Sequence, residues 1–236
     1  LTSLGDLNGD NCAEIAVGAP FDSTQGGDGS VTIVWGWDEN GGCIYNQPQV
    51  TTLKTTEEDA RFGQVLDSID IDNDGLQELL IGVPFSPAGG LIVVQGEHLA
   101  SLSSGNLDSG QIPETAAGHT YVVETLTNTT RLQAQFGFGS ALSSLANPNG
   151  DGAYIAVGNP YEGGGATLYF FDATHPEGNV WATLGAATHQ PDSLLGQFLL
   201  LRFLNDAFVL IAGAPEHSAS GGIDQGTIYH FQFSLD

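Results

Sequence analysis

Short apolar runs, each closed by glycine or proline, recur along the chain. Leu79-Leu80-Ile81 stops at Gly82-Val83-Pro84, and comparable runs stop at Gly18-Ala19-Pro20, Gly158-Asn159-Pro160 and Gly213-Ala214-Pro215. Runs of this length, bounded by turn formers, predict buried strands. A β-prone, glycine-led segment follows each Gly-x-Pro: residues 29–36 (GSVTIVWG), 90–96 (GLIVVQG), 165–172 (GATLYFFD) and 226–233 (GTIYHFQF). Upstream, Phe62-Gly63 and Phe136-Gly137 precede their Gly-x-Pro by 20 and 22 residues, and Leu195-Gly196 precedes the fourth by 18. Landmarks repeating in one order mark a repeat protein.

Each unit reads as short strands. Strand a starts at Phe-Gly (62–69, 136–145). Strand b is the apolar run (14–17, 79–81, 154–157, 208–212), and strand c is the glycine-led segment. A weaker strand d lies at 50–54, 121–126 and 180–184. No stretch carries a convincing helical period. Antiparallel strands repeated at this spacing predict an all-β fold of four-stranded propeller blades rather than a sandwich. The continuously apolar b strands suit an inner layer covered on both faces. In Gly-x-Pro the glycine permits close backbone approach, and the proline ends the ladder because it has no N–H to donate. The repeats are placed at approximately 1–58, 59–131, 132–191 and 192–236. Residues 97–119, rich in Ser, Gly and Asn, form an insert in the second unit, read as a surface insertion or a binding loop.

Composition sharpens this picture. Apolar residues make up 41%, enough for a core, and 33 glycines with 10 prolines fit a turn-rich chain. With 28 acidic against 4 basic residues the formal charge is −24, which repels phosphate backbones and anionic lipid; nucleic acid is excluded as a partner. No apolar run is long enough for membrane insertion. Methionine is absent, and the chain is expected to be a mature product or a fragment.

The acidity is concentrated in two loops between strands a and b. Asp6, Asn8, Asp10 and Glu14 place side-chain oxygens at positions 1, 3, 5 and 9 of one loop; Asp70, Asp72, Asp74 and Glu78 do so in the other. Position 6 is Asn11 or Gly75, both tolerant of positive φ. The position-7 carbonyls of Cys12 and Leu76 are further donors. Oxygen-only ligands with many carboxylates favour Ca²⁺ over Mg²⁺, and no His or Cys cluster suits zinc. A third loop offers Asn147, Asn149 and Asp151 but lacks the terminal carboxylate. It is the weaker, third calcium candidate. The alternative for each loop is an Asx-turn hairpin without metal. Unit four has lost the pattern. Without a twelfth-position Glu or flanking helices, these are not EF-hand sensors.

The Phe-Gly dipeptides, the Asp-rich loops and the four Gly-x-Pro tripeptides together resemble the FG-GAP repeat of integrin α-subunit β-propellers. The resemblance spans essentially the whole chain. It implies a propeller of usually seven blades with calcium in the a–b hairpins. Unit one lacks its Phe-Gly and unit four stops after strand c, so the chain is expected to be a partial propeller of about four repeats; a self-closing four-blade ring is the alternative.

With the strands placed, Cys12 lies just before strand b and Cys43 just after strand c. Antiparallel pairing would bring them together, so a Cys12–Cys43 disulfide is expected, against the alternative of two buried free thiols. Asn128 heads a glycosylation sequon. No catalytic motif is present, and the six histidines show no ligand spacing. Trp35, Trp37 and Trp181 are candidates for sugar stacking or for packing. The leading function is a non-enzymatic, extracellular, calcium-binding adhesion scaffold. Its partners would be protein ligands or other subunits of a surface assembly. The alternatives are a propeller appended to a secreted hydrolase, such as a phospholipase or glycan-acting enzyme, and a carbohydrate-binding propeller with a glycan ligand.

Overall fold

The computed structural model describes residues 1–23, 29–39, 41–85, 89–102, 119–122, 129–133, 137–161, 164–172, 174–185, 194–205, 207–217 and 226–234. The apolar runs form antiparallel sheets, each the blade of a β-propeller. The first blade is β1 (Thr2–Gly5), β2 (Glu14–Ala19), β3 (Ser30–Glu39) and β4 (Gly42–Lys54), paired in that order. The second begins with β5 (Leu66–Ile69), β6 (Glu78–Val83) and β7 (Gly90–Val94). A short helix α1 (Gly96–Leu102), then β8 (His119–Val122) and β9 (Thr129–Gln133), follow. The third blade is β10 (Leu142–Ala146), β11 (Ala153–Gly158), β12 (Ala166–Asp172) and β13 (His175–Leu184); the fourth is β14 (Phe198–Leu204), β15 (Ala207–Ala214) and β16 (Thr227–Ser234).

The second unit departs from expectation in two ways. Its fourth strand is β9, antiparallel to β7, and not residues 121–126. Tyr121 and Val122 belong instead to β8, which pairs in parallel with β4 and so caps the edge of the first blade. The edge of β4 offers unpaired backbone groups, and the long insert gives the chain enough slack to reach them. The insert also opens on a helix, α1, where no helix was expected. Leu99 and Leu102, three residues apart on one face, bury against the first two blades. Seven residues are too few for a helical period to show in sequence.

The third unit's Phe-Gly is also re-registered. Gly63 N donates to Gly82 O (3.2 Å) and Gly196 N to Gly213 O (3.0 Å); the third such bond runs from Gly139 N to Gly158 O (3.0 Å). Phe138-Gly139, and not Phe136-Gly137, is therefore the counterpart of Phe62-Gly63, and Phe138 is buried like Phe62. Phe136 lies outside the described residues. The local sequence Gln135-Phe-Gly-Phe-Gly-Ser140 offers the dipeptide twice, two residues apart, so composition alone does not choose between them.

The core lies in the seams between blades. Leu4, Ala16, Ile33 and Phe62 join Leu79, Ile81 and Ile92 in the first seam. Leu80, Leu91 and Val93 meet Phe138, Ile155 and Tyr169 in the second, and Tyr154, Ala156 and Leu168 meet Phe208, Leu210 and Leu201 in the third. Each seam also explains two of the repeated glycines at once. A Cβ built on Gly18, Gly82 or Gly158 would run into the carbonyl oxygen of Gly63, Gly139 or Gly196 of the next blade. Gly-x-Pro and Phe-Gly are thus the two sides of one backbone-to-backbone contact. Gly82→Ala should therefore destabilise the chain by about 2–3 kcal/mol through overpacking, read as a lower urea midpoint with an unchanged slope.

On the outer faces of the first and fourth blades, described apolar residues are exposed. Ile228 is 74% exposed, whereas Val31, Leu91 and Ala166, at the same register in the other blades, are buried. At the opposite end Val17 is 40% exposed while its counterparts Ile81, Val157 and Ala212 are buried. Gly213 completes the pattern: the nearest atoms to a Cβ placed there belong to Phe198 of its own sheet. The first and fourth blades therefore do not cover one another.

Candidate metal centre

The two acidic loops join strand a to strand b of the first and second blades, at the same edge of each. Their backbones match. Gly9 and Asn11 (φ 78° and 68°) take the left-handed conformations that Asn73 and Gly75 (60° and 91°) take in the second loop. These turns let backbone amides point inward to the first carboxylate. Asp6 accepts from Gly9 N (2.8 Å), Asp10 N (3.1 Å) and Asn11 N (2.8 Å), and Asp70 accepts from Gly75 N (3.0 Å). Asp10 and Asp74 each accept from the amide two residues on, Cys12 N (2.8 Å) and Leu76 N (2.7 Å).

The ninth-position glutamates are the buried members. Glu14 takes the Leu7 amide at 2.7 Å and Glu78 the Ile71 amide at 2.6 Å, so each ties the end of the loop to its start. Gly96 N adds a second bond to Glu78 at 3.0 Å. Gly96 positions the Glu78 carboxylate, and sequence reading passed it over. A Cβ there would crowd Leu76 at 2.6 Å, and the signal was the small residue ending strand c in both acidic units, Gly36 and Gly96. Burial raises both glutamates to about 7, against the lowering effect of the Leu7 amide in one and of Ile71 and Gly96 in the other; neighbouring aspartates raise them further. Asp72 is also raised, by burial and then by Asp74.

Two carboxylate oxygens are left over. Glu14 Oε1 and Asp70 Oδ1 are buried with no hydrogen-bond partner. Leaving a buried carboxylate oxygen unpaired costs free energy unless a cation or donor meets it. Asp70, Asp72 and Glu78 present oxygens within 4.8 Å of one another, a spacing that a single cation could bridge. In the first loop Asn8 stands in place of Asp72 and donates to Asp10 Oδ2 (3.2 Å), so that loop carries one carboxylate fewer.

The third loop is organised differently. Asn147 turns its amide nitrogen to the Asp151 carbonyl (3.0 Å), and Asp151 Oδ1 accepts from Asn73 Nδ2 of the neighbouring loop at 2.7 Å. Asp151 thereby braces the second loop.

Cys12 and Cys43 are joined by a disulfide, with Cα atoms 5.5 Å apart. It links the end of the first acidic loop to the start of β4. Trp35 is buried and donates to Thr51 Oγ1 (2.9 Å). Trp181 packs on Tyr154, Phe208 and Phe233, which accounts for it without a sugar. Asn128 and the side chain of Trp37 lie outside the described residues.

Residues 2–34, which hold the first acidic loop and its flanking strands, match the family model of the FG-GAP repeat. That stretch is similar to an FG-GAP repeat. Integrin alpha-PS2 of Drosophila melanogaster is similar to the chain, 29% identical over 172 residues. That alignment takes in 71% of this chain and 11% of the relative, so the chain spans a small part of the relative's length. Among the described residues no helix is long and apolar enough to cross a membrane.

Proposed function

We propose that the chain is an extracellular, calcium-binding β-propeller that serves as a non-enzymatic protein-binding scaffold of the adhesion type. The observation that carries the calcium reading is the pair of buried carboxylate oxygens without partners, Glu14 Oε1 and Asp70 Oδ1, one in each of two loops of the same backbone form. Asp6, Asn8, Asp10 and Glu14 would hold one ion and Asp70, Asp72, Asp74 and Glu78 the other, with the carbonyls of Cys12 and Leu76 as further donors. Bound calcium would neutralise the clustered charge and fix each a–b hairpin. The third loop, with Asn147 and Asp151 turned to other partners, is assigned no ion. The disulfide suits an oxidising compartment, and the likeness to an integrin α chain supports a cell-surface setting with protein partners.

Calorimetric titration of the chelator-treated protein should show two calcium sites. Asp70→Ala should remove one, Asp6→Ala the other, and the double variant both. At calcium a hundredfold above Kd, binding should add about 2.7 kcal/mol per site to the stability. Absence of calcium heat with an unchanged thermal midpoint would refute the metal assignment.

A further inference from the structure

Arg61 is held in an unusual way for an arginine in so acidic a chain. Its guanidinium carbon lies 4.4 Å from the ring centre of Phe85 and 5.1 Å from that of Phe21. Yet its side chain makes no hydrogen bond or ion pair among the described residues. The other cations whose side chains are described are engaged: Lys54 pairs with Asp22 (3.4 Å) and Arg202 donates to the Leu201 carbonyl (2.8 Å). A guanidinium carries five N–H donors in a planar fork, and contact with the ring faces uses none of those donors.

The rings are placed by the repeat itself. Phe21, Phe85 and Tyr161 each follow a Gly-x-Pro, at the blade edge opposite the acidic loops, and Phe85 and Tyr161 are 5.7 Å apart. Phe21 is 76% exposed, a large apolar surface beside the guanidinium. The backbone below is fixed by Phe85 N donating to Ala60 O (3.3 Å) and Gln64 N to Arg61 O (3.1 Å). Arg61 has φ 52°, left-handed, and the third blade has glycine, Gly137, at the same position. A long cationic side chain therefore persists where the backbone would accept glycine more easily.

We propose that Arg61, clamped by Phe21 and Phe85, is the anchor for a single carboxylate on a protein partner: an Asp or Glu side chain with an apolar neighbour that lies on Phe21. A carboxylate accepts two parallel bonds from the fork, and burial beneath a docked partner would strengthen them. Polyanions do not fit, because a molecule of charge −24 repels extended phosphate. Arginine and aromatic residues in such clusters are typical interface hot spots. This names the partner chemistry left open by the protein-binding reading above and rests on that reading alone, not on the calcium assignment.

The test uses N-acetyl-aspartyl-amide against N-acetyl-asparaginyl-amide, titrated at fixed ionic strength while the Arg61 Nε–Hε resonance is followed by NMR. The aspartyl probe should give a saturable shift at Arg61 and none at Arg202. Binding of the asparaginyl probe should be weaker by at least about tenfold. Arg61→Gly, which installs the residue native to the third blade, should fold normally and lose the response measured by calorimetry; Arg61→Lys should retain charge but weaken binding. Equal response to both probes, or an aspartyl response that survives in Arg61→Gly, overturns the assignment. The calcium titration is independent of all these outcomes, so failure of either reading leaves the other measurable.

Discussion

Phe208→Ala should destabilise the chain by about 3–5 kcal/mol, the range for removing a fully buried aromatic ring. Phe208 is wholly buried on β15 at the seam of the third and fourth blades. Its ring centre lies 4.3 Å from Tyr154, 5.2 Å from Phe203 and 5.7 Å from Trp181. The neighbouring rings sit on paired strands, whose backbones limit how far they can move into the void. The loss should be measured by urea unfolding, with fluorescence of Trp181 reporting the seam. A cost under about 1 kcal/mol would mean that the seam relaxes around the missing ring, contrary to close packing.

In the presence of chelator, stability should fall as the pH rises from about 4.5 to about 7. Glu14 and Glu78 sit at about 7 in the folded chain against an ordinary 4.5. For an acid whose folded value is raised, the contribution is sign-reversed from the usual carboxylate. Below 4.5 both folded and unfolded chains hold the proton and nothing is lost. Between the two values the unfolded chain releases its proton while the folded one keeps it, so stability declines; above about 7 the full cost is present. Each glutamate should contribute on the order of 2–3 kcal/mol to this decline. If the proposed ions bind, saturating calcium at pH 7.5 should restore most of it, because the charged carboxylates then face a cation. Urea midpoints at pH 5 and pH 7.5, with chelator and with calcium, give the comparison. A chelated chain equally stable at both values would show that the glutamates are not held as described.

Much of the architecture was legible because its signals are local. The b strands at 79–81 and 154–157 were plain from apolar runs stopped by Gly-x-Pro, and both became strands buried on both faces. The matching of Asn11 to Gly75 was legible too, since only a few residues accept left-handed φ without strain. What escaped had causes outside the local window. β8 joins the first blade although its residues belong to the second unit, a choice made by an open strand edge far away in sequence. The Phe136–Phe138 ambiguity is resolved only by which glycine meets Gly82 across a seam. At the acidic loops the oxygen-bearing side chains that share one hairpin could be read from spacing. The hold on Glu78 by Gly96, 18 residues on, could not, and neither could the turning of Asp151 toward Asn73. Arg61 gave no signal in sequence because its two rings come from two different blades.

The bare flanks at Val17 and Ile228 have a practical consequence for anyone handling the protein. Exposed aliphatic side chains such as these, on a molecule whose like charges otherwise keep copies apart, make its colloidal behaviour a matter of ionic strength. Dilute buffer should keep copies dispersed through mutual repulsion, while concentrated salt screens that repulsion and lets apolar contacts form.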